Sequence, residues 1–216
     1  MSDNVRVVWH TVDMEDRVAY MARVSNPANQ QGNAGYVQLI KYLIRHKHWS
    51  PFEMVNVCFE IECTRDIARQ LLRHRSFTFQ EFSQRYAEPY DFEYFDPRFQ
   101  DPTNRQSSLP CEDKELIKIW HEKQNAVIQF TKTVYDWGKN MGIAKELRRK
   151  VLPEGLTISK LYVNGTLRSW IHYVELRCGI ETQQEHREIA LQVRDKLVQL
   201  CPNVMAALET ADYYQL

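Results

Sequence analysis

The chain has 216 residues, of which 44% are hydrophobic and 12% aromatic, which is enough apolar material for a sizeable globular core. Its 28 basic and 28 acidic residues balance, and this argues against a protein that binds nucleic acid through its overall charge. Five cysteines without metal-ligand spacing predict reduced thiols, no metal site and a cytoplasmic location. No apolar run approaches membrane-spanning length, so we predict no membrane association.

The N-terminal half alternates between strand and helix patterns. In chain order it predicts a strand at 5–10, helices at 15–25 and 35–46, a half-buried strand at 55–62, and a helix from Cys63 or Thr64 to the RHR sequence at 73–75. The strand at 55–62 is predicted to be half-buried because apolar and polar side chains alternate along it.

The C-terminal half is mainly helical. It predicts an ordered loop at 90–110, a helix at 113–140, a short helix at 144–152, a strand at 156–163, a helix at 166–177 and a last helix ending near Cys201. Thr182 and Glu185 have capping-box spacing at the start of that last helix. Since nothing resembles a linker, we predict an α+β fold in which residues 1–216 form a single domain, with a short, mostly antiparallel sheet flanked by long helices.

The segment RHRSFTFQEFSQRY, residues 73–86, gathers arginines and hydroxyl side chains around a single acid, Glu81. Just before it, Gln70 and Arg73 lie three residues apart on one face of the predicted helix. The planar guanidinium suits phosphate oxygens, so the segment indicates a phosphate-rich ligand. A solvated basic surface at a helix C-terminus explains the spacing equally well.

A second basic group lies further along the chain, at Arg148, Arg149, Arg168, His172 and Arg177. Arg168 and His172 are four residues apart, so one helix face can hold both against a flat ligand, or they form an exposed polar face. The sequence contains no glycine-rich phosphate loop and no nucleophile elbow. A phosphate-bearing ligand would therefore be held by side chains.

The RHR sequence, seven further residues and then Ser83 resemble the RHRx7S signature of flavin-dependent thymidylate synthases. Other segments of that family occur in the same order: HWSPFE, ARQLLRHR, QEFSQRY, RKVLP and RSWIHYVELR. The resemblance covers residues 15–205, nearly the whole chain.

The resemblance implies reductive methylation of dUMP to dTMP without a protein nucleophile. It implies FAD as cofactor, 5,10-methylene-tetrahydrofolate as carbon donor, NADPH as reductant, and a homotetramer with active sites between subunits. Arg177 is the implied catalytic residue, against the uracil ring. The implied flavin contacts are Ser50, Arg73, His74, Arg75, Glu81, Thr166, Arg168 and His172, with Ser50 and Glu81 reaching a neighbouring chain. The implied dUMP contacts are Gln70, Arg73, Ser83, Gln84, Arg85, Arg149 and Arg177.

This sequence departs from the family pattern at two of those positions. Thr166 stands where many relatives have asparagine, and His172 where some have asparagine. Two other functions are compatible with the residues themselves: a nucleotide- or RNA-binding module, and another NADPH-oxidising flavoenzyme. Dependence of the product on dUMP and folate distinguishes these from a thymidylate synthase.

Overall fold

A computed structural model describes residues 3–30, 35–86, 88 and 91–210. Its strands are β1 (Val5–His10), β2 (Asn56–Thr64), β3 (Thr78–Glu81), β4 (Arg98–Gln100), β5 (Ser108–Pro110) and β6 (Ile158–Thr166). Its helices are α1 (Met14–Ala22), α2 (Pro27–Gln30), α3 (Val37–Arg45), α4 (Arg65–Leu71), α5 (Lys114–Asn140), α6 (Lys145–Arg148), α7 (Leu167–Arg177), α8 (Gln184–Leu200) and α9 (Pro202–Thr210), with short 3-10 helices at Ser50–Glu53 and Arg149–Val151.

Four strands form the main sheet in the order β1–β2–β6–β3, and β1 pairs antiparallel with β2. The predicted α+β class is thus confirmed. The chain forms two compact units. The first takes the described residues up to Ile61, His74–Gln80 and those from Tyr162 onward, and the second takes Glu62–Arg73 and the described residues of Glu81–Leu161. That residues 1–216 form one functional domain stays a prediction.

The core of the first unit is built around α7. Trp170 is fully buried, and its indole Nε1 donates a hydrogen bond to the main-chain oxygen of Val57 at 3.0 Å. Its ring meets Phe59 edge-on, with centroids 4.8 Å apart. Leu167, Ile171 and Val174 are buried along the same helix, as their spacing predicts. Tyr173 is fully buried as well, and the exposed or half-buried positions of α7 include Arg168, His172 and Arg177.

The second unit is organised by the 27-residue helix α5. Asp113 caps it by accepting hydrogen bonds from the main-chain nitrogens of Glu115 and Leu116. Near its other end, the Arg148 guanidinium lies 4.8 Å from the centre of the Tyr135 ring. This contact packs α6 against α5, directly before Arg149.

Three local predictions are wrong or incomplete. Except at Asn56 and Glu62, β2 is buried on both faces rather than half-buried: Trp170 packs on the face of Phe59, and Arg6 pairs with Glu60 on the other face at 2.9 Å. The predicted capping box is absent: Gln183 is the N-cap residue of α8, and the Thr182 hydroxyl donates to the Leu176 oxygen instead. The predicted loop at 90–110 contains the antiparallel hairpin of β4 and β5, while Tyr90 lies outside the described residues.

Among the described residues, no helix combines the length and the apolar character that crossing a membrane requires.

Candidate functional site

The RHR motif and the end of α7 meet at one hydrogen bond. Arg177, the last residue of α7, donates from Nε to Nε2 of His74 at 3.1 Å. For Nε2 to accept, the His74 imidazole must be neutral with its proton on Nδ1. The terminal nitrogens of Arg177 have no hydrogen-bond partner among the described residues, so the guanidinium can hold an anion or a carbonyl oxygen.

Aromatic rings surround His74. Its imidazole lies edge-on to the Tyr173 ring at 5.2 Å and to the ring of His186 at 6.4 Å. His186 is fully buried, and burial, with smaller effects of Arg177 and His74, lowers its pKa to about 3. Since His186 is neutral at physiological pH and the hydrogen bond requires a neutral His74, Arg177 carries the positive charge of this cluster.

A cavity of about 380 Å³ in the first unit is called here the Arg168 cavity. Its lining residues are Trp49, Glu53, Ser76, Arg168, Ser169, Ile171 and His172. The Arg168 guanidinium pairs with the Glu53 carboxylate. The Thr166 hydroxyl caps α7 by accepting from the main-chain nitrogen of Ser169 at 3.2 Å, which orients the first turn of the helix toward the cavity.

The residues of the Arg168 cavity fit part of a flavin cofactor. A guanidinium and two serine hydroxyls supply donors for phosphate or carbonyl oxygens, and Trp49 and Ile171 supply an apolar wall. Arg168 and His172, both predicted flavin contacts, lie together here. Ser50 does not: it lines a separate, largely apolar cavity of about 420 Å³ with Tyr20, Met21, Val24, Gln30, Pro51 and Met54.

The second unit contains a basic cavity of about 350 Å³, called here the Arg149 cavity. It is lined by Arg65, Arg69, Gln84, Arg149, Lys150, Leu152 and Glu154. Two of its cations have an acid partner, since Arg65 pairs with Glu81 at 3.1 Å and Arg69 pairs with Glu154. Arg149 and Lys150 form no ion pair with any residue that the structure describes. Four cations against one lining acid make this cavity suited to a phosphate group.

The remaining predicted contacts of the second unit lie outside the lining of the Arg149 cavity. Glu81 is held internally, because it also accepts a hydrogen bond from the Ser159 hydroxyl at 2.9 Å. The Ser83 hydroxyl accepts from the main-chain nitrogen of Arg85 at 3.3 Å. Arg73 and Arg85 are exposed and Gln70 is half-buried on α4. Arg75, in the first unit, is exposed as well.

Several residues at these sites were not predicted from the sequence. The four-residue spacing of Arg69 and Arg73 indicates concentrated positive charge at the helix end without assigning Arg69 a contact, and Arg65 extends that spacing by one further step, which was a usable signal. Lys150 follows Arg149 directly, and no spacing or motif in the sequence marks it as a site residue. His186 lies on the apolar stripe of α8 with Ile189, Ala190, Val193 and Leu197, where a histidine is recognisable as buried.

Comparisons with known proteins show the family and the fold of the chain. Residues 6–203 match the model of the Thy1 family, described as thymidylate synthase complementing protein. The flavin-dependent thymidylate synthase of Synechocystis sp. is 47% identical over 195 residues, covering 90% of this chain and 89% of that protein. A relative from Paramecium bursaria Chlorella virus 1 is 43% identical over 196 residues, covering 90% of each chain.

A solved structure extends the likeness to the fold. The crystal structure of the UMP/dUMP methylase PolB from Streptomyces cacaoi, bound with 5-Br dUMP, superposes with a TM-score of 0.84. It is 26% identical and covers 95% of this chain and 94% of its own. On the family match and the level of identity, the chain belongs to the flavin-dependent thymidylate synthase family.

Proposed function

We propose that the chain is a thymidylate synthase that uses FAD to convert dUMP to dTMP. In the balanced reaction, 5,10-methylene-tetrahydrofolate gives its one-carbon unit to C5 of uracil, and NADPH with one proton supplies the reducing equivalents. The products are dTMP, tetrahydrofolate and NADP⁺. The observation that carries the proposal is the Arg177–His74 hydrogen bond, which joins the RHR motif to the matched segment at the end of α7.

Arg177 is the proposed catalytic residue. Bond formation at C5 requires electron density in the uracil ring, and negative charge then develops on the ring carbonyl oxygens and N3. The terminal nitrogens of Arg177 stabilise that charge, and the guanidinium stays protonated throughout. With Nε donating to His74, the guanidinium plane is fixed before the substrate arrives.

The Arg149 cavity is the proposed site of the dUMP phosphate. Arg149 and Lys150 together supply two positive charges, which match a phosphate dianion, and the buried Gln84 amide adds a neutral hydrogen-bonding group. Ser83, Arg85 and Gln70 are proposed to contact the nucleotide from neighbouring positions. Side chains thus do what a glycine-rich loop does in other nucleotide-binding proteins.

The Arg168 cavity is the proposed site for part of FAD, with Arg168 and His172 as contacts and Thr166 acting through its cap of α7. Ser50, Arg73, His74, Arg75 and Glu81 are proposed as further contacts. FAD, when bound, supplies the electron transfer from NADPH that no amino-acid side chain can perform. The protein has to bind the nucleotide, orient it and exclude water.

An apolar stripe on α5 supports self-association, as one of the interfaces of the proposed homotetramer. Trp120, Val127, Phe130 and Trp137 follow the spacing of a coiled-coil seam, and Phe130 is 71% exposed in the isolated chain. The stripe runs alongside the buried residues Ile128 and Tyr135. The second unit therefore covers only part of the apolar face of α5 and leaves the stripe exposed. We propose that a second copy of α5 covers it, because such a seam is complementary to itself.

Light scattering tests the assembly. The wild-type mass is expected at four times the 25.7 kDa chain. Phe130→Glu should dissociate the tetramer, whereas Glu122→Gln, at an exposed polar position of the same helix, should leave the mass unchanged. A Phe130→Glu protein that keeps the wild-type mass would contradict the proposed interface.

The visible absorption spectrum tests the activity. The purified protein, loaded with FAD, should bleach under anaerobic NADPH and recover its colour when dUMP and methylene-tetrahydrofolate are added together, with dTMP formed. Bleaching without dTMP would leave an NADPH-oxidising flavoenzyme and refute the synthase. Failure to bind FAD at all would refute the cofactor assignment, and retention of RNA in its place would favour a nucleic-acid-binding module.

A further inference from the structure

His186 is a buried imidazole beside the hydrogen-bonded pair of Arg177, the proposed uracil contact, and His74, and none of the short motif segments quoted from the sequence includes it. It lies in the first turn of α8, the helix that follows α7. A histidine with no exposed surface is uncommon, because its ring nitrogens lose their contact with water. Its position therefore calls for a physical reason.

The hydrogen bond between Arg177 and His74 imposes two conditions on the His74 ring. The ring must be neutral, because a protonated imidazole donates from both nitrogens and would repel the guanidinium. It must also be rotated so that Nε2, and not a ring carbon, meets Arg177 Nε at 3.1 Å. Whatever packs against the ring decides whether that rotation is maintained.

Three aromatic residues pack against the His74 ring. The centroid of the His74 ring lies 6.0 Å from that of Phe77, 5.2 Å from that of Tyr173 and 6.4 Å from that of His186. Its ring plane makes an angle of 75° with the plane of Tyr173 and of 86° with the plane of His186. Tyr173 is fully buried and lies one helical turn before Arg177. Its ring also contacts the ring of His186, with the two centroids 5.8 Å apart. The two imidazoles and the phenol ring therefore contact one another pairwise, and in a packed interior such contacts restrict rotation of the His74 ring.

His186 suits this position because it is a flat ring that carries no charge. Burial, with Arg177 and His74 adding to it, depresses the pKa of His186 far below physiological pH. A lysine or arginine here would place a second cation next to Arg177, and an aliphatic side chain would lack the flat edge-to-face contact. The neutral ring provides packing without altering the charge available to the substrate.

We propose that His186 is a positioning residue that keeps the His74 imidazole in the orientation in which Nε2 accepts from Arg177. It thereby presents the terminal nitrogens of Arg177 to the uracil ring of dUMP. The identity of the ligand rests on the proposed function; the contact among the three side chains does not.

Two variants and two controls test this role. His186→Ala removes the ring and His186→Gln replaces it with an uncharged side chain that is not aromatic, whereas His186→Phe keeps an aromatic ring. Leu197→Ala is the matched control, since Leu197 is also fully buried on α8 but lies eleven residues, about 16 Å, further along the helix. All are measured as FAD-loaded proteins after thermal unfolding has shown that they fold.

The first measurement is dUMP affinity by calorimetry. We expect an approximately tenfold loss for His186→Ala and His186→Gln, and a loss below about threefold for His186→Phe and Leu197→Ala. The second is the ¹⁵N chemical shifts of the histidine rings, which report the tautomer. His74 should carry its proton on Nδ1 in the wild type and in Leu197→Ala, and should be a mixture of tautomers in His186→Ala.

Three results would overturn the inference. The first is a dUMP affinity of His186→Ala within twofold of wild type. The others are a loss of dUMP affinity in Leu197→Ala equal to that in His186→Ala, or a dUMP affinity of His186→Phe as low as that of His186→Ala. If His186→Ala does not fold, His186→Gln decides by the same thresholds. The proposed function fails in a different way. A wild-type protein that binds no dUMP would refute it, while the His74 tautomer would still test the contact with His186.

Discussion

Replacing Gly165 by alanine should destabilise the first unit strongly, and the reason is a close approach between β6 and the RHR segment. A Cβ atom at position 165 would lie 2.2 Å from Cδ1 and 2.5 Å from Cε1 of Phe77. Gly142 is the glycine with positive φ among the described residues, so Gly165 is required for space and not for its backbone angles. Phe77 is two residues beyond Arg75, which links this packing to the motif.

The cost follows from how little Phe77 can move. Ordinary carbon contacts need about 3.5 Å, so the ring must shift by more than about 1 Å. It is buried, with its centroid 4.2 Å from that of Trp170, and Trp170 is itself fully buried. Overpacking of this kind costs about 1–3 kcal/mol, and disturbing the aromatic pair adds about 0.5–1.5 kcal/mol. We expect Gly165→Ala to lower the free energy of unfolding by about 2–4 kcal/mol.

Urea denaturation at equilibrium measures this loss. Gly155→Ala is the control, because a Cβ there meets no atom within 4 Å, and its unfolding free energy should stay within about 0.5 kcal/mol of wild type. The smaller side chain of Phe77→Leu should reduce the cost of Gly165→Ala by at least about 1 kcal/mol in a double-mutant cycle. A Gly165→Ala protein as stable as wild type, or strictly additive with Phe77→Leu, would refute the steric reasoning.

Three further predictions concern single residues. Arg177→Ala should bind FAD normally but lose about 10²-fold or more in dTMP formation; turnover within about threefold of wild type, roughly 0.7 kcal/mol of barrier, would contradict its catalytic role. Ser83→Ala should weaken dUMP binding in calorimetry yet keep measurable turnover, and complete loss of turnover with dUMP still bound would contradict a purely binding role. Because the pKa of His186 falls from 6.5 to about 3 on folding, the unfolded chain binds one more proton between these values, and stability decreases as the pH drops below 6.5. Between pH 7 and pH 5 wild type should lose about 2 kcal/mol more unfolding free energy than His186→Gln, and equal losses would mean that His186 is protonated in the folded protein.

The elements that the sequence predicts best are those whose pattern is local and long. α5 was predicted at 113–140 and occupies Lys114–Asn140, because 27 residues of helical spacing and an Asp113 cap leave few alternatives. Burial of β2 on both faces could not be predicted, since its alternating pattern is that of a strand with one wet face. Glu60 is buried there and pairs with Arg6 on the neighbouring strand, a contact that the alternating pattern does not reveal.

In the candidate sites, too, contacts within one helix could be predicted and contacts between distant residues could not. Arg168 and His172 were predicted to share a helix face, and they line one cavity because four-residue spacing within α7 determines it. The contact between His74 and Arg177 joins residues 103 positions apart, and no periodicity could predict it. His186 needed both kinds of information: its place on the apolar stripe of α8 is visible in the sequence, but its neighbours are not.

The acid partners in the two charged cavities explain how a chain of zero net charge can bind anionic ligands. Arg168 with Glu53 and Arg69 with Glu154 are ion pairs whose side chains are all at least 40% exposed. Such pairs contribute about 0–1 kcal/mol, so a phosphate that takes over the guanidinium displaces the carboxylate at little cost. Arg6 with Glu60 differs, since the Glu60 side chain is only 10% exposed and breaking the pair would leave a buried charge. Exposed pairs can therefore balance the charge of an unliganded site and still yield to a ligand, whereas Arg6 has to stay paired with the buried Glu60 carboxylate.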